Sequence, residues 1–144
     1  MTRRHPRVEL ADRFRPRTQR AFVVRVVAAT LAHVARPELE VSLLLTDDAE
    51  IAGLHGEFLG DPTPTDVLSF AIDDGAEVVV SVETARRVAR RSGHSLRAEV
   101  ALYIVHGILH AVGFDDVRAR DRRRMREAER AILDRLGLRV GEVD

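Results

Sequence analysis

The stretch Ser95-Leu96-Arg97-Ala98-Glu99-Val100-Ala101-Leu102-Tyr103-Ile104-Val105-His106-Gly107-Ile108-Leu109-His110-Ala111-Val112-Gly113-Phe114-Asp115-Asp116 decides how the rest of the chain is read. Ser95 can cap a helix, because its hydroxyl accepts from a backbone N–H that the first turn leaves unsatisfied. Gly113 can stop one, because glycine takes the left-handed conformation that turns the chain out of a helix. Between them Leu96, Val100, Ala101, Leu102, Ile104, Val105, Ile108, Leu109 and Val112 leave little polar surface. Such a helix is buried. His106 and His110, four residues apart, lie one above the other on one face of it. Leaving both imidazoles unpaired there would cost on the order of a few kcal/mol, and one shared metal ion removes that cost. The turn at Gly113 brings Asp115 or Asp116 back toward the same point, which makes a His, His, Asp set.

The spacing follows the zinc-protease pattern H-E-x-x-H-x-x-G-x-x-H, with Gly107 where the general-base Glu stands and Asp116 where the third His stands. Two imidazoles and a carboxylate suggest zinc first; nickel, manganese and iron bind such donors too. Three protein ligands leave a position for water, which points to hydrolysis. A carboxylate ligand lowers the net charge of the site and makes that water less acidic than three neutral histidines would. Glu99 lies on the same stripe, through Tyr103, and is a candidate supporting or substrate-facing group. A helix-start carboxylate favoured by the helix dipole accounts for it equally well.

With 144 residues, 45% hydrophobic and 32% charged, the chain suits a single domain spanning 1–144 with one core. The net charge is zero, and all 23 basic residues are Arg, a count that a genome-wide preference for Arg explains as well as phosphate binding does. The chain contains no Cys, so disulfides, thiolate ligands and a Cys nucleophile are excluded. Residues 1–17 are basic and partly irregular, broken by Pro6 and Pro16, with no apolar signal region, and no later run is long enough to span a membrane. A cytoplasmic protein is expected.

Val8 and Leu10 alternate as in a short edge strand, and a frayed tail accounts for the segment nearly as well. A helix is predicted from Thr18 to before Pro37, with Ala21, Val24, Ala28, Leu31 and Ala32 facing the core. Glu38 to Leu45 reads as a strand, and Asp47 caps a helix reaching about Phe58. The prolines of Gly60-Asp61-Pro62-Thr63-Pro64-Thr65 fix an extended turn, followed by a strand over Asp66 to Ala71, a hairpin turn at Asp73-Asp74-Gly75 and a returning strand over Glu77 to Val82. Glu83 to Ser92 is predicted as a short helix stopped by Gly93, with Ala85, Val88 and Ala89 inward, and Val117 to Leu136 as a last helix with Met125, Ala128, Ile132 and Leu136 inward. Strands and helices mixed with a hairpin predict an α+β fold. It comprises a small mixed β-sheet and about five α-helices, with the two-histidine helix central and buried.

Two blocks together resemble the YbeY family of bacterial metal-dependent endoribonucleases, implicated in ribosomal RNA maturation and ribosome quality control. Pro64-Thr65-Asp66-Val67-Leu68-Ser69-Phe70 matches the family's P-T-D-V-L-S-F, and His106-Gly107-Ile108-Leu109-His110 through Gly113-Phe114-Asp115 matches H-G-x-L-H-x-x-G-[YF]-D-H. Their order and separation also fit, and the similarity runs from about Val8 to Leu136. Gly107 is itself a family feature. The resemblance implies one zinc ion on three histidines, two of them His106 and His110. The third position is Asp116, with Asp115 as a possible substitute. It further implies phosphodiester hydrolysis of single-stranded RNA by a metal-activated water, with ribosomal RNA and the ribosome or its small subunit as partners and no membrane. Asp66 and Glu99 are candidate catalytic carboxylates, since Gly107 cannot serve as a base. A structural turn accounts for Thr65 and Asp66 as readily.

The family's L-N-x-x-[YF]-R-G reads Leu54-His55-Gly56-Glu57-Phe58-Leu59-Gly60 here, so the Arg thought to act on the RNA phosphate is Leu59 and the Asn is His55. Phosphate handling then falls to His55 or to an Arg from elsewhere, or is weakened. Ala71 replaces the family's usual Pro. The alternatives are a catalytically weakened RNA- or ribosome-associated factor of the same fold and a small metallopeptidase, which Gly107 argues against.

Overall fold

The computed structural model describes residues 6–15, 17–59 and 65–141, without the side chains of residues 58 and 59. The elements run β1 (Arg7–Asp12), α1 (Arg20–His33), β2 (Glu40–Thr46), α2 (Asp48–Leu59), β3 (Val67–Ile72), β4 (Gly75–Ser81), α3 (Val82–Ser92), α4 (Leu96–Ala111) and α5 (Ala119–Arg135). This is the α+β fold the sequence predicts. The strands lie in the order β1-β2-β4-β3, with β1, β2 and β4 parallel and β3 antiparallel to β4. The basic segment 1–5 and most of the proline-rich turn, residues 60–64, lie outside the described residues.

The register explains which face of the sheet is dry. Val41, Leu43 and Leu45 on β2 pair with Ala76, Val78 and Val80 on β4, and all six are buried in one cluster with residues of α1, α4 and α5. Burying six such side chains contributes on the order of 10 kcal/mol before ordering costs. Gly75 opens β4 because nothing larger fits: an added Cβ would stand 1.7 Å from the Glu40 carbonyl oxygen of the neighbouring strand.

The expected stops and caps are present. The Ser95 hydroxyl accepts from the Ala98 N–H at 3.0 Å, Asp47 Oδ1 accepts from the Glu50 N–H at 2.9 Å, and Gly93 ends α3 at φ 75°. Gly113 leaves α4 at φ 112°. Other expectations change. Helix α1 begins at Arg20 rather than Thr18, and its core face consists of Phe22, Val23, Val26, Val27, Thr30 and Leu31. Of the stripe predicted through Ala21, Val24, Ala28, Leu31 and Ala32, only Leu31 is buried, Val24 and Ala28 are half-buried and the other two are exposed, because a helix with many apolar positions can be phased two ways and burying Phe and Val stabilises more than burying Ala. In α3 Val88 is only half-buried, while Ala85 and Ala89 are buried as expected.

One polar knot ties the carboxyl ends of the parallel strands together. Asp48, at the start of α2, accepts from the hydroxyls of Ser81 and Thr84, each at 2.6 Å, and from Arg87 Nη1 at 2.8 Å. Burial alone would raise its pKa. The hydrogen bonds and the guanidinium outweigh burial and hold it at about 2. A carboxyl depressed in the folded state stabilises above its ordinary value near 4 and loses that contribution as pH falls through about 2. Asp48→Ala is therefore expected to cost on the order of 1–2 kcal/mol near neutral pH and nothing below about pH 2. Urea unfolding of both proteins across that range checks the convergence.

Candidate metal centre

Helix α4 presses against the sheet at Gly107. A Cβ built there would stand 2.6 Å from Val78 Cγ1 and 3.1 Å from Val67 Cγ1, so the position has room only for hydrogen. The side that faces the strands at Gly107 cannot also face solvent. His106 and His110 are thereby carried to the accessible side, where His106 is half-exposed and His110 exposed. Their rings lie 6.4 Å apart between centroids and 25° from parallel.

Each imidazole is approached on Nδ1 by a different element. His106 Nδ1 lies 2.7 Å from Glu129 Oε2 of α5, and His110 Nδ1 lies 3.5 Å from Ser69 Oγ of β3. The carboxylate contact puts the proton of a neutral His106 on Nδ1 and leaves Nε2 available as a donor to a cation, while His110 offers Nε2 only in the tautomer that donates Nδ1–H to Ser69. On that side Asp116 Oδ2 lies 3.8 Å from His106 Nε2. Asp115 is engaged locally: its Oδ1 accepts from the N–H groups of Asp116 at 2.7 Å and Val117 at 3.1 Å, which caps its own turn. Among the described residues no three His, Asp or Glu groups converge closely enough to hold an ion. Two open imidazole nitrogens with a carboxylate beside one of them are nonetheless the donor types that zinc takes.

The charges around His106 favour a cation. The hydrogen bond to Glu129 raises its pKa above the ordinary range, burial opposes this, and the carboxylates of Glu129, Asp116 and Asp66 add to the rise. Asp66 is exposed, with its Oδ1 accepting from the Val67 N–H at 2.8 Å. It thus serves as a strand-start cap and also places a negative charge near the pair. Glu99 does not join them. Its carboxylate is buried against His94 Nε2, while His94 Nδ1 accepts from the Gly141 N–H at 2.9 Å. Tyr103 also bonds Glu99, and burial followed by that carboxylate drives its phenol well above the usual range. The helical stripe runs from Glu99 to His110 as predicted, but burial hands Glu99 a partner of its own. His55 is half-buried on α2, and Leu59 closes that helix.

Glu129 is the site residue that the sequence reading missed. Its signal was a lone carboxylate inside the apolar stripe Met125, Ala128, Ile132 of α5, a position where an acid needs a partner. Ser69 gave none, since a hydroxyl on a half-covered strand is ordinary.

The family model for endoribonuclease YbeY matches residues 9–137. The chain belongs to the YbeY family. Endoribonuclease YbeY of Pelotomaculum thermopropionicum is 42% identical over 113 residues, covering 70% of this chain and 74% of the relative. That of Roseiflexus castenholzii is 37% identical over 147 residues, covering 91% of this chain and 92% of the relative. The solution structure of TM1509 from Thermotoga maritima, 19% identical, shares the fold with a TM-score of 0.64 over 90% of this chain and 91% of its own.

Membership turns Gly107 from a lost protease base into a packing requirement. Gly107→Glu is expected to cost about 2 kcal/mol or more through overpacking and carboxylate burial, and to confer no peptidase activity. Denaturant midpoints and a casein assay check both. An undiminished midpoint would show that α4 does not rest on the sheet as described.

Proposed function

We propose that this chain is a metal-dependent, single-strand-specific endoribonuclease acting in ribosomal RNA maturation and ribosome quality control. One observation carries the reading. In a chain of the YbeY family, His106 and His110 sit one turn apart, His106 with Nδ1 on Glu129 and Nε2 toward Asp116, and His110 with Nδ1 near Ser69. These three residues would hold one zinc ion, which would supply Lewis acidity to a phosphoryl oxygen and lower the pKa of water so that hydroxide is available to attack phosphorus. Asp66 stands near enough for its charge to act on His106, and its exposed carboxylate can accept the proton that water gives up. Glu99, enclosed with His94 and Tyr103, supports the helix from below. It does not touch substrate.

RNA is held through arginines on its phosphates, so affinity falls with salt. Leu59 supplies no charge where the family places Arg, and His55 or an arginine of another element takes that part. The proposed setting is the cytoplasm, in contact with the ribosome or its small subunit. No helix among the described residues is long and apolar enough to cross a membrane. A peptidase reading finds no base, because Gly107 has no space for one.

The zinc-loaded protein is expected to cut a single-stranded RNA and to spare the same sequence in a duplex, with His110→Ala reducing the rate at least about 100-fold. Metal-loaded wild type that leaves single-stranded RNA intact would instead support a non-catalytic RNA-associated role. Leu59→Arg, run alongside, raises the rate about tenfold or more if phosphate contact at that position is limiting.

A further inference from the structure

Glu129 is placed where an unpaired acid would be costly. It is 12% exposed as a side chain, on the stripe of α5 that also buries Met125, Ala128 and Ile132. Its carboxylate lies 2.7 Å from His106 Nδ1. An ionised carboxylate only accepts hydrogen bonds, so a neutral imidazole facing it must carry its proton on Nδ1 and present the lone pair on Nε2. The contact also fixes the rotation of the ring, since α5 lies against α4 and α4 is seated on Val78 and Val67 at Gly107. His110 is held differently. The Ser69 hydroxyl at 3.5 Å can donate or accept, so it selects neither tautomer and binds weakly.

We infer that Glu129 is the positioning residue of this centre, setting the tautomer and orientation of His106 so that Nε2 faces Asp116, while Ser69 gives His110 no comparable constraint. The inference rests on the proposed metal reading and extends it from the ligands to the residue that orients one of them. It makes the two imidazoles unequal: His106 is prepared in advance, and His110 is oriented by the ion itself.

Two measurements test it. In metal-free wild type, nitrogen NMR of labelled histidines above the titration range is expected to show His106 as the Nδ1–H tautomer. Glu129→Gln, which can donate as well as accept, is expected to mix the tautomers. In competition with a chromophoric chelator, Glu129→Gln is expected to bind zinc about 10–100-fold more weakly than wild type, with Glu129→Asp recovering part of the loss and Ser69→Ala changing affinity by less than about threefold. Circular dichroism of each variant reports whether the fold is kept. Zinc affinity within about twofold of wild type in a folded Glu129→Gln, or an Nε2–H tautomer at His106 in wild type, overturns the inference. If His110→Ala binds zinc as well as wild type does, the metal reading itself fails, and this result is distinguishable because it does not involve Glu129. Should Glu129→Gln not fold, the wild-type tautomer decides.

Discussion

The close seat of α4 on the sheet at Gly107 is the constraint on which the rest depends. Helices usually stand off a sheet by the length of their side chains. Here a glycine faces Val78 and Val67, and an added Cβ would stand only 2.6 Å from Val78. Seating the helix this deeply closes the core around Ile104, Val105, Ile108 and Leu109, each essentially fully buried. It also fixes the helix rotation. With Gly107 pointing at the strands, the residue before it and the residue three after it are held to one accessible side, and Ser69 of β3 comes within reach of His110. Packing and chemistry are therefore one arrangement: the contact that stabilises the core also turns both histidines to the accessible side.

A second layer of polar contacts holds the elements that complete the site. Glu129 reaches His106 from α5, and the His94, Glu99 and Gly141 contacts fasten the start of α4 to the chain that follows α5. Asp48 does the same for α2 and α3 through Ser81, Thr84 and Arg87. Each ties an acid, directly or through a histidine, to another part of the chain, which is how a small domain with little polar burial keeps its layers in register.

Much of this was legible beforehand, for physical reasons that differ from element to element. Ser95, Gly93 and Gly113 have local functions, satisfying or ending a helix within a few residues, and they act as the sequence predicts. The hairpin of β3 and β4 is local too. Helix α1 is present but turns another face inward than its spacing predicts, because Ala and Val at most positions give no unique stripe and the sheet takes the larger side chains. The site divides the same way. His106, His110 and Asp116 are close in sequence, and the structure sets Asp116 rather than Asp115 beside His106. Glu129 comes from 23 residues away in the chain, a pairing that no local rule supplies. Glu99 shows the converse, a helical stripe correctly read whose chemistry is decided by His94. Only the two family blocks carry information about substrate, since periodicity and composition do not distinguish a ribonuclease from another hydrolase.

The most direct test of the proposed centre is anomalous diffraction at the zinc edge from crystals of the zinc-loaded protein. The account expects one strong peak bonded to Nε2 of His106, Nε2 of His110 and the Asp116 carboxylate, with Glu129 still on His106 Nδ1. A peak held by other residues, or one bound through His106 Nδ1 with Glu129 displaced, would contradict it.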